Sequence, residues 1–274
     1  MLAANTVIPN ERAGGYSMKV IAVSNYKGGC AKTTTSVNLA YNLAAEEDKR
    51  VLLIDVDPQG NASYILWRYN PNADTLRSLY ENSRRTIKNL IRRSKYKNLD
   101  IVPSMAELEQ VNRESEVRGL DYNLLRRQID SLTDRYDYVV IDCQPTMQFL
   151  TMSALYAADL VIMPFKAAGF SINGLELMRD YLEDTAQQRA YSGDLNYACL
   201  LTMFNGSRKS LDRITELIEQ DAYTIFDTLI SFSTVCENAE DKKVRKPLLK
   251  HRRNSKVATD YLELTREILT EMGD

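Results

Sequence analysis

One stretch near the start of the chain constrains the fold more than any other. It is a glycine turn with two lysines and three threonines, Lys27-Gly28-Gly29-Cys30-Ala31-Lys32-Thr33-Thr34-Thr35. An apolar run typical of a buried strand precedes it at 19–23, and apolar residues at helical spacing follow it at 36–45. This order of elements is typical of phosphate-binding sites, because backbone N–H groups and the helix N-terminus surround the anion. We expect Lys32 to reach the β- and γ-phosphates and the Thr33 hydroxyl to bind Mg²⁺.

Aspartates follow two other apolar runs. Val51–Ile54 is continuously apolar, as in a parallel strand that is buried on both faces, and Asp55 and Asp57 come directly after it. A second run, within 136–141, ends at Asp142. Carboxylates at the carboxyl ends of parallel strands point into the ligand crevice of an open sheet. We therefore expect the three aspartates to lie beside the glycine turn.

Strand and helix patterns alternate along the rest of the chain. We predict strands at 99–103, 136–142, 160–165 and 197–204, and helices at 75–80, 86–92, 105–116, 122–132, 149–158, 172–186 and 209–219, followed by a last helix with apolar residues over 261–269. This alternation predicts an α/β fold with a doubly wound, mostly parallel sheet flanked by helices on both faces. Residues 1–17 have no apolar core and are predicted to form a flexible tail, and 18–274 a single domain.

The positive charge of the chain is concentrated in two stretches. The formal net charge is −2, but 84–97 and 242–256 contain no acidic residue and hold 15 of the 35 lysines and arginines. Such segregation favours a polyanionic partner, although a solvated charged face is the plainer alternative. The four cysteines, Cys30, Cys143, Cys199 and Cys236, have no metal-binding spacing, which favours a reducing cytoplasm.

The glycine turn departs from the standard phosphate-loop pattern G-x-x-x-x-G-K-[ST], because Tyr26 and Ala31 occupy the glycine positions. It fits K-G-G-x-x-K-[ST], with an additional lysine, Lys27, at the entrance. In this respect, and in the order of its three motifs, the chain resembles the ParA/MinD class of P-loop ATPases, and specifically the ParA partition branch. The resemblance implies a P-loop NTPase fold over most of the chain and Mg²⁺-dependent hydrolysis of ATP.

The resemblance also implies residue roles. The implied nucleotide-binding residues are Lys27, Gly28, Gly29, Cys30, Ala31, Lys32, Thr33, Thr34 and Asn205. The implied catalytic residues are Lys27, Lys32 and Asp57, with Asp57 orienting the attacking water, and the implied Mg²⁺ ligands are Thr33, Asp55 and Asp142. In relatives Lys27 crosses to the nucleotide of a second subunit, so we expect a homodimer in the ATP state.

Relatives of the ParA branch bind nonspecific DNA as ATP dimers and are stimulated by a ParB-like centromere-binding protein. Their arginines ahead of the C-terminal segment have no counterpart in 231–237, so we assign DNA contact to the second basic stretch, at Lys250, Arg252 and Arg253. The last helix ends in acidic residues rather than in a basic amphipathic anchor, so we expect no membrane partner. The expected location is the cytoplasm, on the nucleoid.

Two other functions share this fold. One is a positioning ATPase whose cargo is a protein assembly instead of a DNA locus, and the sequence does not separate it from a partition protein. The other is an electron-transfer ATPase similar to the nitrogenase iron protein. That function needs cysteines that bridge a cluster across a dimer, and the four cysteines lack the glycine-rich setting for it.

Overall fold

The computed structural model describes residues 18–166, 172–189, 195–208, 211–212, 214, 216, 223–241 and 244–274. The tail predicted at 1–17 and most of the helix predicted at 209–219 lie outside the described residues, so those two predictions stay open.

Seven described strands form one sheet in the order β3-β4-β2-β5-β1-β6-β7. The strands are β1 Lys19–Val23, β2 Val51–Asp55, β3 Arg92–Arg93, β4 Leu99–Val102, β5 Tyr138–Asp142, β6 Leu160–Lys166 and β7 Asn196–Thr202. All neighbours are parallel except β3 and β4, which are antiparallel. The predicted doubly wound, mostly parallel sheet is thus confirmed, and β1 and β5 lie at its centre.

Eleven helices are described around this sheet. They are α1 Lys32–Ala45, α2 Asn61–Leu66, α3 Arg77–Glu81, α4 Ile87–Leu90, α5 Glu109–Glu114, α6 Leu124–Asp130, α7 Phe149–Ala157, α8 Ile172–Gln188, α9 Thr234–Glu240, α10 Leu248–Arg252 and α11 Lys256–Glu271. One face of the sheet packs on α3–α8 and the other on α1, α2 and α9–α11, giving two apolar layers.

The side chains of each strand point alternately into one apolar layer and the other. In β2, Leu52 and Ile54 belong to one layer, whereas Val51 and Leu53 belong to the other, because successive side chains of a strand point to opposite faces. Every residue of β2 and of β5 is buried, including the aspartate that ends each strand. The continuous apolar runs of the sequence are therefore strands covered by helices on both sides.

Two local predictions were wrong. The helix predicted at 86–92 ends at Leu90, and Arg92–Arg93 form the edge strand β3. The two arginines pair with Ile101 and Asp100 of β4, so Arg92, the last residue of the predicted helix, belongs to a hairpin instead. The helix predicted at 105–116 is a 3₁₀ turn at Ala106–Leu108 followed by the short α5.

The C-terminal helix α11 packs on α1, the helix that follows the glycine turn. The Tyr261 hydroxyl lies 3.1 Å from the hydroxyl of Thr35, and Leu264 and Ile268 are fully buried. The apolar side of α11 is therefore part of the core. None of the described helices has the length and apolar content that crossing a bilayer requires.

Leucines at two positions of α11 test this packing. Leu264→Ala should lower the free energy of unfolding by about 2–5 kcal/mol, because it leaves a cavity in a filled layer. Leu262→Ala is the matched control at a partly buried position and should cost less than half as much. Urea denaturation of the full chain measures both. Equal, small losses would contradict the packing of α11 into the core.

Candidate nucleotide-binding site

The glycine turn lies at the carboxyl end of β1 and leads directly into α1. Gly29 has φ 68° and Ala31 has φ 69°, so both residues are in the left-handed region. Ala31 is the N-cap of α1 and stands where the standard pattern has glycine, the residue that tolerates this conformation best. The backbone of the turn therefore has the conformation of a phosphate loop even though the sequence departs from the standard pattern.

Hydrogen bonds hold the turn in place from several sides. Asn25 accepts from the Lys27 N–H at 2.9 Å and donates to the Pro164 carbonyl at 2.8 Å, which ties the entrance of the turn to β6. The Thr202 hydroxyl, at the end of β7, donates to the Cys30 carbonyl at 3.2 Å. These contacts fix the loop to two neighbouring strands, β6 and β7.

The Lys32 ammonium group lies inside the turn. Its Nζ donates to the Lys27 carbonyl at 2.9 Å, and the side chain is almost fully buried. The Cys30 thiol donates to the same carbonyl at 3.2 Å, and burial raises the pKa of this thiol. A protonated, buried Cys30 is a small filler of the loop, and its predicted role in nucleotide binding stays a prediction.

Asp55 and Asp142 lie side by side at the ends of β2 and β5, where the sheet pairs the two residues directly. Asp142 accepts from the Thr33 hydroxyl at 2.9 Å and from the Ser36 hydroxyl at 2.8 Å. Asp55 accepts from the backbone N–H and the hydroxyl of Ser63 at 2.8 and 2.7 Å. The three predicted metal-binding residues therefore adjoin one another at the base of the turn.

Burial dominates the electrostatics of this acidic pair. Both carboxyl groups are fully inaccessible to solvent. Burial raises the pKa of Asp142 to about 7, and burial together with the charge of Asp142 raises the pKa of Asp55 well above its usual range. The charge of Lys32 lowers the pKa of Asp142 but does not offset burial, and a divalent cation would add positive charge beside the pair.

Asp57 begins a tight turn beside the same crevice. Its carboxylate accepts from the Gln59 N–H at 2.9 Å, and burial raises its pKa while the charge of Lys32 lowers it. The turn closes at Gly60, which has φ 63°, and a Cβ there would lie 3.0 Å from the Ser104 carbonyl oxygen. Glycine is therefore required where the chain leaves Asp57.

A cavity of about 730 Å³ joins these elements. Seven predicted residues line it, namely Gly28, Gly29, Ala31, Lys32, Thr33, Thr34 and Asp57. Asn205 is not part of this wall; it accepts from the Ser207 N–H at 3.1 Å within its own turn, while Met203 lines the cavity. Tyr64, Glu240 and Arg245 also line the cavity and were not predicted, because their positions depend on long-range packing.

The side chains of Thr33, Asp55 and Asp142 suit a magnesium ion whose other ligands are water and the phosphate oxygens of a nucleotide. Among the described residues, no three side chains of His, Cys, Asp or Glu converge as a self-sufficient metal site. Mg²⁺ usually takes one or two carboxylates and completes its shell with water and phosphate oxygens. Thr33, Asp55 and Asp142 suit that arrangement.

The predicted DNA-binding residues differ in their availability. Arg253 forms two hydrogen bonds with the Glu46 carboxylate, at 2.8 and 2.6 Å. Lys250 and Arg252 are exposed, and no ion pair is found for either within the described part of the chain. Arg245 of the second basic stretch lies near enough to Lys95 of the first for its charge to lower the pKa of Lys95, although burial lowers it more.

Comparison with known proteins agrees with this architecture. The family model described as AAA domain matches residues 18–196. A chromosome partitioning protein ParA of Myxococcus xanthus is 32% identical over 94% of this chain and 90% of its own length. The sporulation initiation inhibitor protein Soj of Bacillus subtilis is 32% identical over 91% of this chain and 98% of its own length.

Solved structures show the same fold. The Cyanothece McdA–ATP complex superposes with a TM-score of 0.80, at 21% identity, over 93% of this chain and 97% of that protein. Identity this low supports the fold alone, whereas the two curated relatives match in sequence along nearly the whole chain. The chain therefore belongs to the ParA family of AAA-domain P-loop ATPases.

Proposed function

We propose that this protein is an ATP-dependent partition protein that dimerises on binding ATP, binds DNA nonspecifically and hydrolyses ATP when a ParB-like partner stimulates it. The observation that carries the proposal is the Thr33 hydroxyl hydrogen-bonded to the buried carboxylate of Asp142, directly beside a preformed left-handed glycine loop. That pair joins the phosphate-binding element to the candidate metal-binding element. The curated relatives named ParA and Soj support the biological context.

Each residue of the site has a distinct part in this proposal. Lys32 is preorganised by its bond to the Lys27 carbonyl and binds the β- and γ-phosphates. Thr33, Asp55 and Asp142 would hold Mg²⁺, which would supply positive charge to offset the charge that develops on the phosphate oxygens. Asp57 is held by the Gln59 N–H and orients the attacking water.

The presence of glycine at position 28 is an argument for the proposed dimer. Among the described residues, a Cβ on Gly28 would meet nothing within 4 Å, and its φ lies outside the left-handed region, so no described contact requires glycine there. A close approach of nucleotide or of a partner subunit would require it. The exposed Lys27 beside it would then reach the γ-phosphate of the partner's nucleotide.

The cysteines do not favour the iron-protein alternative. Cys30, Cys143 and Cys199 are buried within the subunit, and Cys236 is half-buried. Burial raises the pKa of Cys236 to about 11 and that of Cys199 to about 12. Protonated, enclosed thiols are poor ligands for a cluster that bridges two subunits.

Removal of the Lys32 ammonium group tests nucleotide binding. Lys32→Ala should weaken ATP affinity by about a hundredfold or more, because a charge-assisted contact to two phosphates is lost. Lys88→Ala, at an exposed position of α4, is the control and should leave affinity unchanged. Titration calorimetry with Mg²⁺ present measures both. Parental affinity in the Lys32 variant would refute the phosphate-loop assignment.

Dimerisation is tested in a variant that is expected not to hydrolyse ATP. In an Asp57→Ala background, ATP with Mg²⁺ should convert monomer to dimer, as seen by light scattering. Adding Lys27→Ala should abolish the conversion and leave ATP binding within about threefold, because this lysine acts on the nucleotide of the other subunit. A dimer that forms without nucleotide, and that is insensitive to Lys27, would contradict the proposal.

DNA binding is tested by reversing the charges of Lys250 and Arg252, for which no ion pair is found among the described residues. Lys250→Glu with Arg252→Glu should weaken binding of the ATP-loaded dimer to any duplex alike and reduce the slope of affinity against salt, because fewer counterions are released. Arg253 is unsuitable, since its reversal would place two carboxylates together at Glu46. Arg84→Glu with Lys88→Glu is the control of equal charge, at exposed positions of the first basic stretch.

The readout is a salt titration on two unrelated duplexes. We expect the C-terminal reversal to lower affinity by about tenfold or more at moderate salt, and the control to change it by less than about threefold. If the two variants lose affinity equally, net charge alone governs binding, and if neither loses any, the stretch is a solvated face. Either result would contradict the assignment of Lys250 and Arg252.

A further inference from the structure

Glu240 places a negative charge on the wall of a cavity that is proposed to bind an anion. It is the last residue of α9, and its carboxylate accepts a hydrogen bond from the Thr34 hydroxyl of α1. The residue as a whole is exposed, no ion pair is found for it within the described part of the chain, and desolvation of its carboxyl group raises the pKa. A carboxylate that no described lysine or arginine pairs with, on the wall of a cavity proposed to bind phosphate, requires an explanation.

The two adjacent threonines of α1 define two directions within the cavity. Thr33 hydrogen-bonds Asp142, and Thr34 hydrogen-bonds Glu240. Successive residues of a helix are rotated by about 100° around its axis, so these side chains leave α1 in different directions. The Thr33 direction leads to the metal-binding aspartates and hence to the β- and γ-phosphates. The Thr34 direction leads away from the aspartates, and with the β- and γ-phosphates beside them this part of the cavity is left for the nucleoside half of the nucleotide.

The rest of the cavity suits a nucleoside. Its volume of about 730 Å³ exceeds what a triphosphate needs, and Ile65, Tyr64 and Met203 add apolar and aromatic wall. A carboxylate repels phosphate but accepts hydrogen bonds from neutral hydroxyl groups, and each of its two oxygens can accept more than one bond. Acidic residues hydrogen-bond the ribose hydroxyls of dinucleotides in other α/β folds for the same reason.

We propose that Glu240 accepts hydrogen bonds from the ribose hydroxyls of the bound nucleotide and thereby makes this site selective for ribonucleotides over deoxynucleotides. The Thr34 hydroxyl holds the carboxylate in place and leaves acceptor capacity free for the sugar. The inference rests on the proposed ATP binding and adds to it a specificity-determining residue outside the phosphate loop.

The test compares three nucleotides on four proteins. Calorimetry with Mg²⁺ measures the affinities for ATP, 2′-deoxy-ATP and 3′-deoxy-ATP in the full-length Asp57→Ala protein, and in the same background with Glu240→Ala, Glu240→Gln or Glu237→Ala. Glu237 is the matched control, an exposed carboxylate one turn earlier on α9 that does not line the cavity. The isosteric Glu240→Gln retains an acceptor for Thr34 and guards against misfolding of the alanine variant.

We expect the parent to bind ATP about tenfold or more tightly than at least one of the deoxy forms, as a hydrogen bond to a charged group implies. Glu240→Ala should reduce this ratio to within about twofold, Glu240→Gln should reduce it in part, and Glu237→Ala should preserve it. A parent that binds all three equally, or a Glu240 variant that keeps the full ratio, would overturn the proposal.

Two further outcomes separate the possible failures. If Glu240→Ala strengthens binding of all three nucleotides by the same factor, the carboxylate merely obstructs the empty site, and the ribose proposal is wrong while ATP binding stands. If the parent binds none of the three, the proposed nucleotide site itself is wrong, and the inference falls with it.

Discussion

The burial of two carboxyl groups at adjacent strand ends is the constraint on which the rest of the structure depends. Asp55 and Asp142 are placed together because β2 and β5 are paired in register, and helices on both faces exclude water from them. Their raised pKa values mean that the folded chain retains protons that the unfolded chain releases above about pH 4. The nucleotide-free fold therefore loses stability as pH rises from about 4 through about 7. The candidate metal site thus lowers the free energy of unfolding of the same sheet that positions it.

Sequence reasoning succeeded where a residue's position follows from its place on a strand. The carboxyl ends of parallel strands meet at one edge of the sheet, so the glycine turn, Asp55, Asp57 and Asp142 were predicted to converge, and they do. Apolar runs without alternation predicted strands that are covered on both faces. The doubly wound sheet could be predicted from these regularities alone, since both depend on local pattern and on the geometry shared by all parallel sheets.

The partners of individual charged residues, the wall of the cavity and the edge strand could not be predicted. They depend on contacts between segments far apart in the chain, and no local pattern in a single sequence reveals such contacts. Arg92 and Arg253 looked equivalent to other basic residues, yet Arg92 donates to the carbonyls of Asn89, Ile91 and Asp74, and Arg253 pairs with Glu46. The approach of Glu240 to Thr34 spans more than two hundred residues of sequence. The β3 hairpin was missed because two residues are too few to establish a period.

The left-handed conformation of Ala31 has a consequence for the speed of nucleotide capture. An alanine in this region is strained by about 1–2 kcal/mol relative to the right-handed one, and only the contacts that fix the loop keep it there. Because those contacts form during folding, the loop has no large rearrangement left to make when a phosphate group arrives. A loop preformed in this way favours association that is limited by diffusion into the cavity rather than by loop closure, so we expect differences in affinity between nucleotides to lie mainly in their dissociation rates.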